Sequence, residues 1–265
     1  MRFNHLTIEK ERHLAVITFN RPNRLNAMNV GLMHEILSVT EELQDDPEAR
    51  VVIFTGAGQC FSAGLDLSDP EYVHHFEKDS TLMKRRFLRL GPRMIKAIYN
   101  MEQITIAAVN GAAAGGGACI AAACDFRVGA DNCRIGYPEV GLGMNLSWVA
   151  LPMCVHLIGP AKAKQMVILA KKEHADTLLE WGFLDEVVPA NRLMEHARKM
   201  AKIYAEQPPI AAQMVKKSVN AIVSALDQAV MHMDADQFLL STKTQDFREG
   251  VSAFLEKRKP VFKGD

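Results

Sequence analysis

The chain has 265 residues, 48% hydrophobic and 23% charged, a balance that suits a globular protein with a substantial buried core. Lys plus Arg and Asp plus Glu both total 31, so there is no electrostatic case for nucleic acid. The five cysteines (Cys60, Cys119, Cys124, Cys133, Cys154) include no C-x-x-C pair, which points to reduced thiols rather than a disulfide framework.

The N-terminal "MRFNHLTIEKERHLAVITF" scatters charge through its length and has no apolar core followed by a small-residue cleavage site. With "FKGD" at the C-terminus matching no peroxisomal address, a cytoplasmic protein is expected. "LTIEK" and "HLAVITF" alternate apolar and polar residues about Glu11–Arg12 and predict a hairpin. "NRPNRLNAM" reads as a loop. Leu32, Ile36, Val39 and Leu43 then share one face of a helix over Val30–Gln44. "ARVVIFTGAG" is a buried strand ending in glycines, "FSAGLDLSD" a loop, and Thr81–Asn100 a single helix. "ITIAAVNG" is a second buried strand running into "AAAGGG" and a helix, "ACIAAACD", while "FRVGAD" and "CRIGYPE" give two short strands. From Gly159 onward the pattern is mostly helical. Strand–helix alternation followed by helices predicts an α/β core with a helical C-terminal part. The uncharged run Ile104–Cys124 is long enough to span a bilayer, but it is mostly Ala and Gly, and three adjacent glycines oppose a continuous helix. No membrane span is expected.

Two glycine-rich turns, Gly56–Gly64 and Gly111–Gly117, each follow an apolar strand. Glycine lets backbone N–H groups approach a ligand, and the second turn also opens a helix, whose first amides lack internal partners. Together they offer two backbone donors to an oxygen that becomes negative during a reaction; the other reading is a pair of tightly packed corners. The second turn carries neither a phosphate-loop Lys-Ser/Thr nor a dinucleotide fingerprint. Glu139 in "GYPEVGLG" follows a short strand between proline and glycine, where a rigid turn projects it, although an exposed loop glutamate fits as well. The nine histidines show no metal-ligand spacing, and Ser62 lacks the surround of a hydrolase nucleophile, so neither a metal nor serine chemistry is expected.

"FNRPNRLNAM" (19–28), "VVIFTGAGQCFSAGLDL" (51–67), "IAAVNGAAAGGG" (106–117), "CDFRVGADNCRIGYPEVGLG" (124–143), "GFLDEVV" (182–188) and "FLEKRKPVF" (254–262) together resemble the enoyl-CoA hydratase/isomerase (crotonase) family. The resemblance implies a crotonase-like spiral of β–β–α repeats over residues 1–195. It also implies a C-terminal helical trimerisation region over 196–265, with assembly as trimers or dimers of trimers. It further implies an acyl-CoA thioester substrate, coenzyme A being part of the substrate and no separate cofactor being needed. By position, the amides of Leu65 and Gly116 hold the thioester oxygen. Backbone around Ala27, Ala63 and Leu67 holds the adenine, and Lys257 meets the nucleotide phosphates, a solvated charge run being the plainer reading of that lysine.

Hydratases of the family use two glutamates, and this chain keeps only the second, Glu139; Cys119 stands at the first position. A thiol of ordinary pKa near 8.5 is a poor substitute as base or water clamp. Losing a general acid–base group costs about 10²–10⁴-fold. Moving a double bond from 3-enoyl-CoA to 2-enoyl-CoA needs one base that takes a proton from C2 and returns it at C4, and isomerases of the family resemble this arrangement. Met144, Leu146 and Trp148, with Cys119, are expected to line the acyl pocket, or else to pack the trimer core. Hydrolases of the family carry an aspartate where Ser147 stands, which disfavours thioester hydrolysis. The expectation is therefore an isomerase with Glu139 as sole proton shuttle. The alternatives are a 2-enoyl-CoA hydratase, either weak or helped by Asp69 or Glu71, and a non-catalytic acyl-CoA-binding homologue.

Overall fold

The structure, a computed structural model, describes residues 3–265. The expected hairpin forms: β1 (Leu6–Glu11) pairs antiparallel with β2 (Leu14–Phe19), register Leu6 opposite Phe19. Helix α1 (Val30–Gln44) has the expected bounds because Asn29 caps it, its side chain accepting the Leu32 amide at 3.0 Å. Strand β3 (Val51–Gly56) is buried along its whole length, and the segment read as a loop after it holds a short strand, β4 (Cys60–Ser62).

Helix α2 (Pro70–Lys78), not expected from the sequence, starts on a proline, whose missing N–H is no loss in a first turn. The helix expected over Thr81–Asn100 is two, α3 (Thr81–Phe87) and α4 (Leu90–Tyr99). Pro92 explains the break, since its ring and missing N–H forbid a helical bond back to Leu88. β5 (Ile104–Val109), β6 (Ala112–Ala114) and α5 (Gly116–Ala123) account for the glycine-rich run. β7 (Phe126–Ala130) and β8 (Arg134–Gly136) follow. Helix α6 (Ala150–Ile168) begins earlier than the sequence indicates and kinks at Gly159–Pro160, where Gly159 leaves helical geometry. Then come β9 (Lys172–His174), α7 (Ala175–Trp181), β10 (Glu186–Val188), α8 (Leu193–Ala205), α9 (Pro209–Val223), α10 (Gln228–Met231), α11 (Asp234–Ser241) and α12 (Gln245–Leu255).

The strands form two sheets, ordered β1-β2-β3-β5-β7-β10 and β4-β6-β8-β9. Beyond β1, every neighbour in the first sheet is parallel, and in the second only β9 is antiparallel. Successive pairs β3–β4, β5–β6 and β7–β8 thus place one strand in each sheet, and this repeat is the spiral. α8 packs on β2, β3, β5 and β7. It spans the expected 195/196 division. No helix among the described residues is long and apolar enough to cross a membrane. All five cysteines are free and buried.

Candidate active site

The two glycine turns meet at one end of the paired sheets. After β4, the chain pairs with the loop before α1 through a single bridge: Met28 N–H donates to Gly64 C=O at 2.7 Å and Asp66 N–H to Met28 C=O at 3.0 Å. That alternation uses the residues on either side of Leu65 and leaves the Leu65 amide out of the bridge. Gly64 has φ +90°, and a Cβ there would stand 2.6 Å from the Ala114 carbonyl and 3.3 Å from the Gly116 amide nitrogen. Only glycine lets the turns approach this closely. Gly116 is the first residue of α5, where an amide has no partner within the helix. Among the described residues neither the Leu65 nor the Gly116 amide finds an acceptor in the protein. Both residues line a cavity of about 800 Å³.

Glu139 faces them from the first position of a 3₁₀ turn, Glu139–Leu142, that follows Pro138. Gly115, at φ +51°, leaves room for the carboxylate: a Cβ there would lie 2.7 Å from Glu139 Oε1. Glu139 Oε2 is buried with no hydrogen-bond partner. Burial pushes the Glu139 pKa up to about 7, its own backbone amide pulling weakly the other way. Cys119, one turn into α5, also lines the cavity and is buried; its amide donates to Gly115 C=O at 2.9 Å. Burial, with Glu139 nearby, drives its thiol well above the ordinary value, so it is a neutral wall rather than a base.

The other acids are committed elsewhere. Asp66 lines the cavity, but Arg21 Nη2 reaches its Oδ2 at 3.0 Å and Ser68 Oγ its Oδ1 at 2.7 Å. Burial opposes its charge, yet these bonds hold its carboxyl below the usual range. Asp69, which the sequence leaves open as a second acid, accepts the Val30 amide at 2.9 Å and lies outside the cavity lining, as does Glu71. Ser62 is fully buried, donating to Asn26 C=O at 2.8 Å, which suits a packing role.

Ala27, Ala63 and Leu67 line the cavity, as do Phe254, Leu255 and Arg258 from the C-terminal segment. Lys257 does not line it. It lies exposed just past α12, in a left-handed conformation (φ +55°), and its neighbour Arg258 is the cation at the cavity instead, paired with Glu249 and Glu256. Met144, Trp148 and Ser147 line the cavity as well. Leu146 does not: it is 6% exposed and packs into the main core. Gly91 and Asp234, both tied to Trp148, are not evident from the sequence, since neither carries a local pattern that marks it. Among the described residues, no three His, Cys, Asp or Glu side chains gather into a metal-binding group.

The family model for enoyl-CoA hydratase/isomerase matches residues 9–265. The chain is 36% identical over 263 residues to a crotonyl-CoA hydratase of Syntrophomonas wolfei, covering 99% of both chains. An enoyl-CoA hydratase from Mycobacterium avium subsp. paratuberculosis superposes with a TM-score of 0.87 at 26% identity, covering 99% of this chain and 100% of that one. A monofunctional enoyl-CoA isomerase from M. smegmatis superposes at 0.70 and 27% identity, covering 83% and 93%.

Proposed function

The chain belongs to the enoyl-CoA hydratase/isomerase family, and on that premise we propose that it isomerises 3-enoyl-CoA to 2-enoyl-CoA with Glu139 as its single acid–base group. The observation that carries this reading is the lone free carboxylate among the described residues that line the cavity. Glu139 Oε2 is buried and unpartnered in a cavity where Asp66 is tied down and a neutral thiol fills the other position.

The chemistry follows from the placement. The thioester oxygen accepts the Leu65 and Gly116 amides, which strengthen their hold as enolate charge develops; losing one such donor costs about 2.7–4 kcal/mol in comparable sites. Glu139, ionised, takes the proton from C2. The electrons move into the dienolate, and the same carboxyl, now protonated, returns the proton at C4. A carboxyl whose pKa is near 7 exchanges a proton in either direction at neutral pH. No water enters the balance, and none has to be oriented by a second carboxylate.

A second reading is hydration of 2-enoyl-CoA. It is favoured by the names of the Syntrophomonas relative and the Mycobacterium avium structure, both hydratases. The two separate when purified protein receives 3-hexenoyl-CoA and crotonoyl-CoA in parallel, with products followed by chromatography. The isomerase reading expects rapid 2-hexenoyl-CoA formation, slow hydration of crotonoyl-CoA, and a gain of hydration on Cys119→Glu. Rapid hydration of crotonoyl-CoA that Cys119→Ala leaves unchanged would sink it.

A further inference from the structure

Trp148 and Val149 both sit in the left-handed backbone region, at φ +61° and +54°. For a bulky and a β-branched residue this is a strained conformation that persists only when its surroundings impose it. Here one carboxylate does so. Asp234, the first residue of α11, accepts the Trp148 amide on Oδ2 at 2.8 Å and the Val149 amide on Oδ1 at 3.3 Å. Further along the same helix, Ser241 Oγ accepts the Asn145 amide at 3.4 Å, and Gln237 Oε1 accepts from the Asn145 side chain at 3.4 Å. α11 therefore grips the segment 145–149 along its length.

The grip fixes the indole. A Cβ on Gly91 of α4 would stand 2.2 Å from Trp148 Nε1, and a Cβ on Gly116 of α5 would stand 2.3 Å from Trp148 Cζ3. The ring is thus wedged in a slot that two glycines open between α4 and α5, and all three residues line the cavity. An acyl chain whose thioester oxygen meets the Gly116 amide begins against that ring.

We infer that Asp234 is a positioning residue: by holding the Trp148 and Val149 amides it sets the indole as the acyl-pocket wall, and so sets the acyl-chain length the site accepts. The inference rests on the acyl-CoA reading of the cavity and not on which reaction follows.

Binding of saturated butanoyl-, octanoyl- and dodecanoyl-CoA, measured by calorimetry, tests it without turnover. One methylene in an apolar pocket discriminates by roughly 10–200-fold. Trp148→Ala is expected to shift the dodecanoyl-to-butanoyl affinity ratio by at least about tenfold toward the longer chain. Asp234→Asn shifts it in the same direction, and adding Asp234→Asn to Trp148→Ala shifts it little further, the non-additivity of residues that act through one another. In a Trp181→Phe background, Asp234→Asn also red-shifts the remaining tryptophan emission. Where Asp234→Asn does not fold, Asp234→Glu, which keeps the charge and displaces the acceptors by a methylene, makes the same comparison. A variant that weakens all three ligands equally, or loses only thermal stability, overturns the positioning role while the acyl-CoA reading stands. Failure of the unmodified protein to bind any of the three overturns both.

Discussion

Glu139 is held where a carboxylate is hard to ionise: its Oε2 is buried without a donor, and its pKa stands near 7 against an ordinary 4.5. The native state thus holds this proton more tightly than the unfolded chain does. Between about pH 4.5 and 7 folding takes up a proton, so stability falls as pH rises, and above 7 the penalty levels off at on the order of 3 kcal/mol. Glu139→Gln removes it. The variant is expected to melt higher than the unmodified protein at pH 8 and no higher at pH 4, as differential scanning calorimetry at the two values would read. A stability gain equal at both would contradict the raised pKa. In turnover the sign reverses: kcat/KM should rise with pH through about 7 as the base ionises. The sequence shows the rigid Pro138–Glu139 turn but not this burial, because the groups that surround the carboxyl, Gly115 and Cys119, come from another turn of the spiral.

Elements were legible where local chemistry decides them. The alternation around Glu11–Arg12 marks the hairpin, and the shared apolar face of Leu32, Ile36, Val39 and Leu43 marks α1. The α3–α4 break is a local signal too, written in Pro92, yet the apolar spacing on either side reads straight through it. How α9 docks is not local at all. Lys216 on α9 is buried and reaches Asp125 at 2.7 Å and the Gln103 carbonyl at 2.7 Å, while Asp125 accepts the Thr105 amide and hydroxyl. Removing one partner of a buried pair strands the other, at a cost of about 3–5 kcal/mol. Lys216→Ala should therefore lower unfolding free energy by roughly that amount in urea titration. A loss below about 1 kcal/mol, typical of an exposed pair, would mean that the pair does not anchor α9.

At the scale of the whole molecule, periodicity distinguishes strand from helix but not which of two sheets a strand joins. β3, β5 and β7 and their short partners β4, β6 and β8 are alike in being buried along nearly their whole length. The two-sheet spiral was legible only through the resemblance of whole motifs, and so was the expectation that Leu65 and Gly116 act as donors, since a backbone amide leaves no side-chain signature. The site that results joins an amide pair, one free carboxyl and an apolar wall from segments far apart in the chain. Its most direct test is the rate of 3-hexenoyl-CoA isomerisation by Glu139→Gln at pH 8, with acyl-CoA binding checked in parallel. A single proton shuttle predicts a loss of about 10²–10⁴-fold with binding retained. A loss under about tenfold, with the variant folded and binding, would contradict Glu139 as the group that carries the proton.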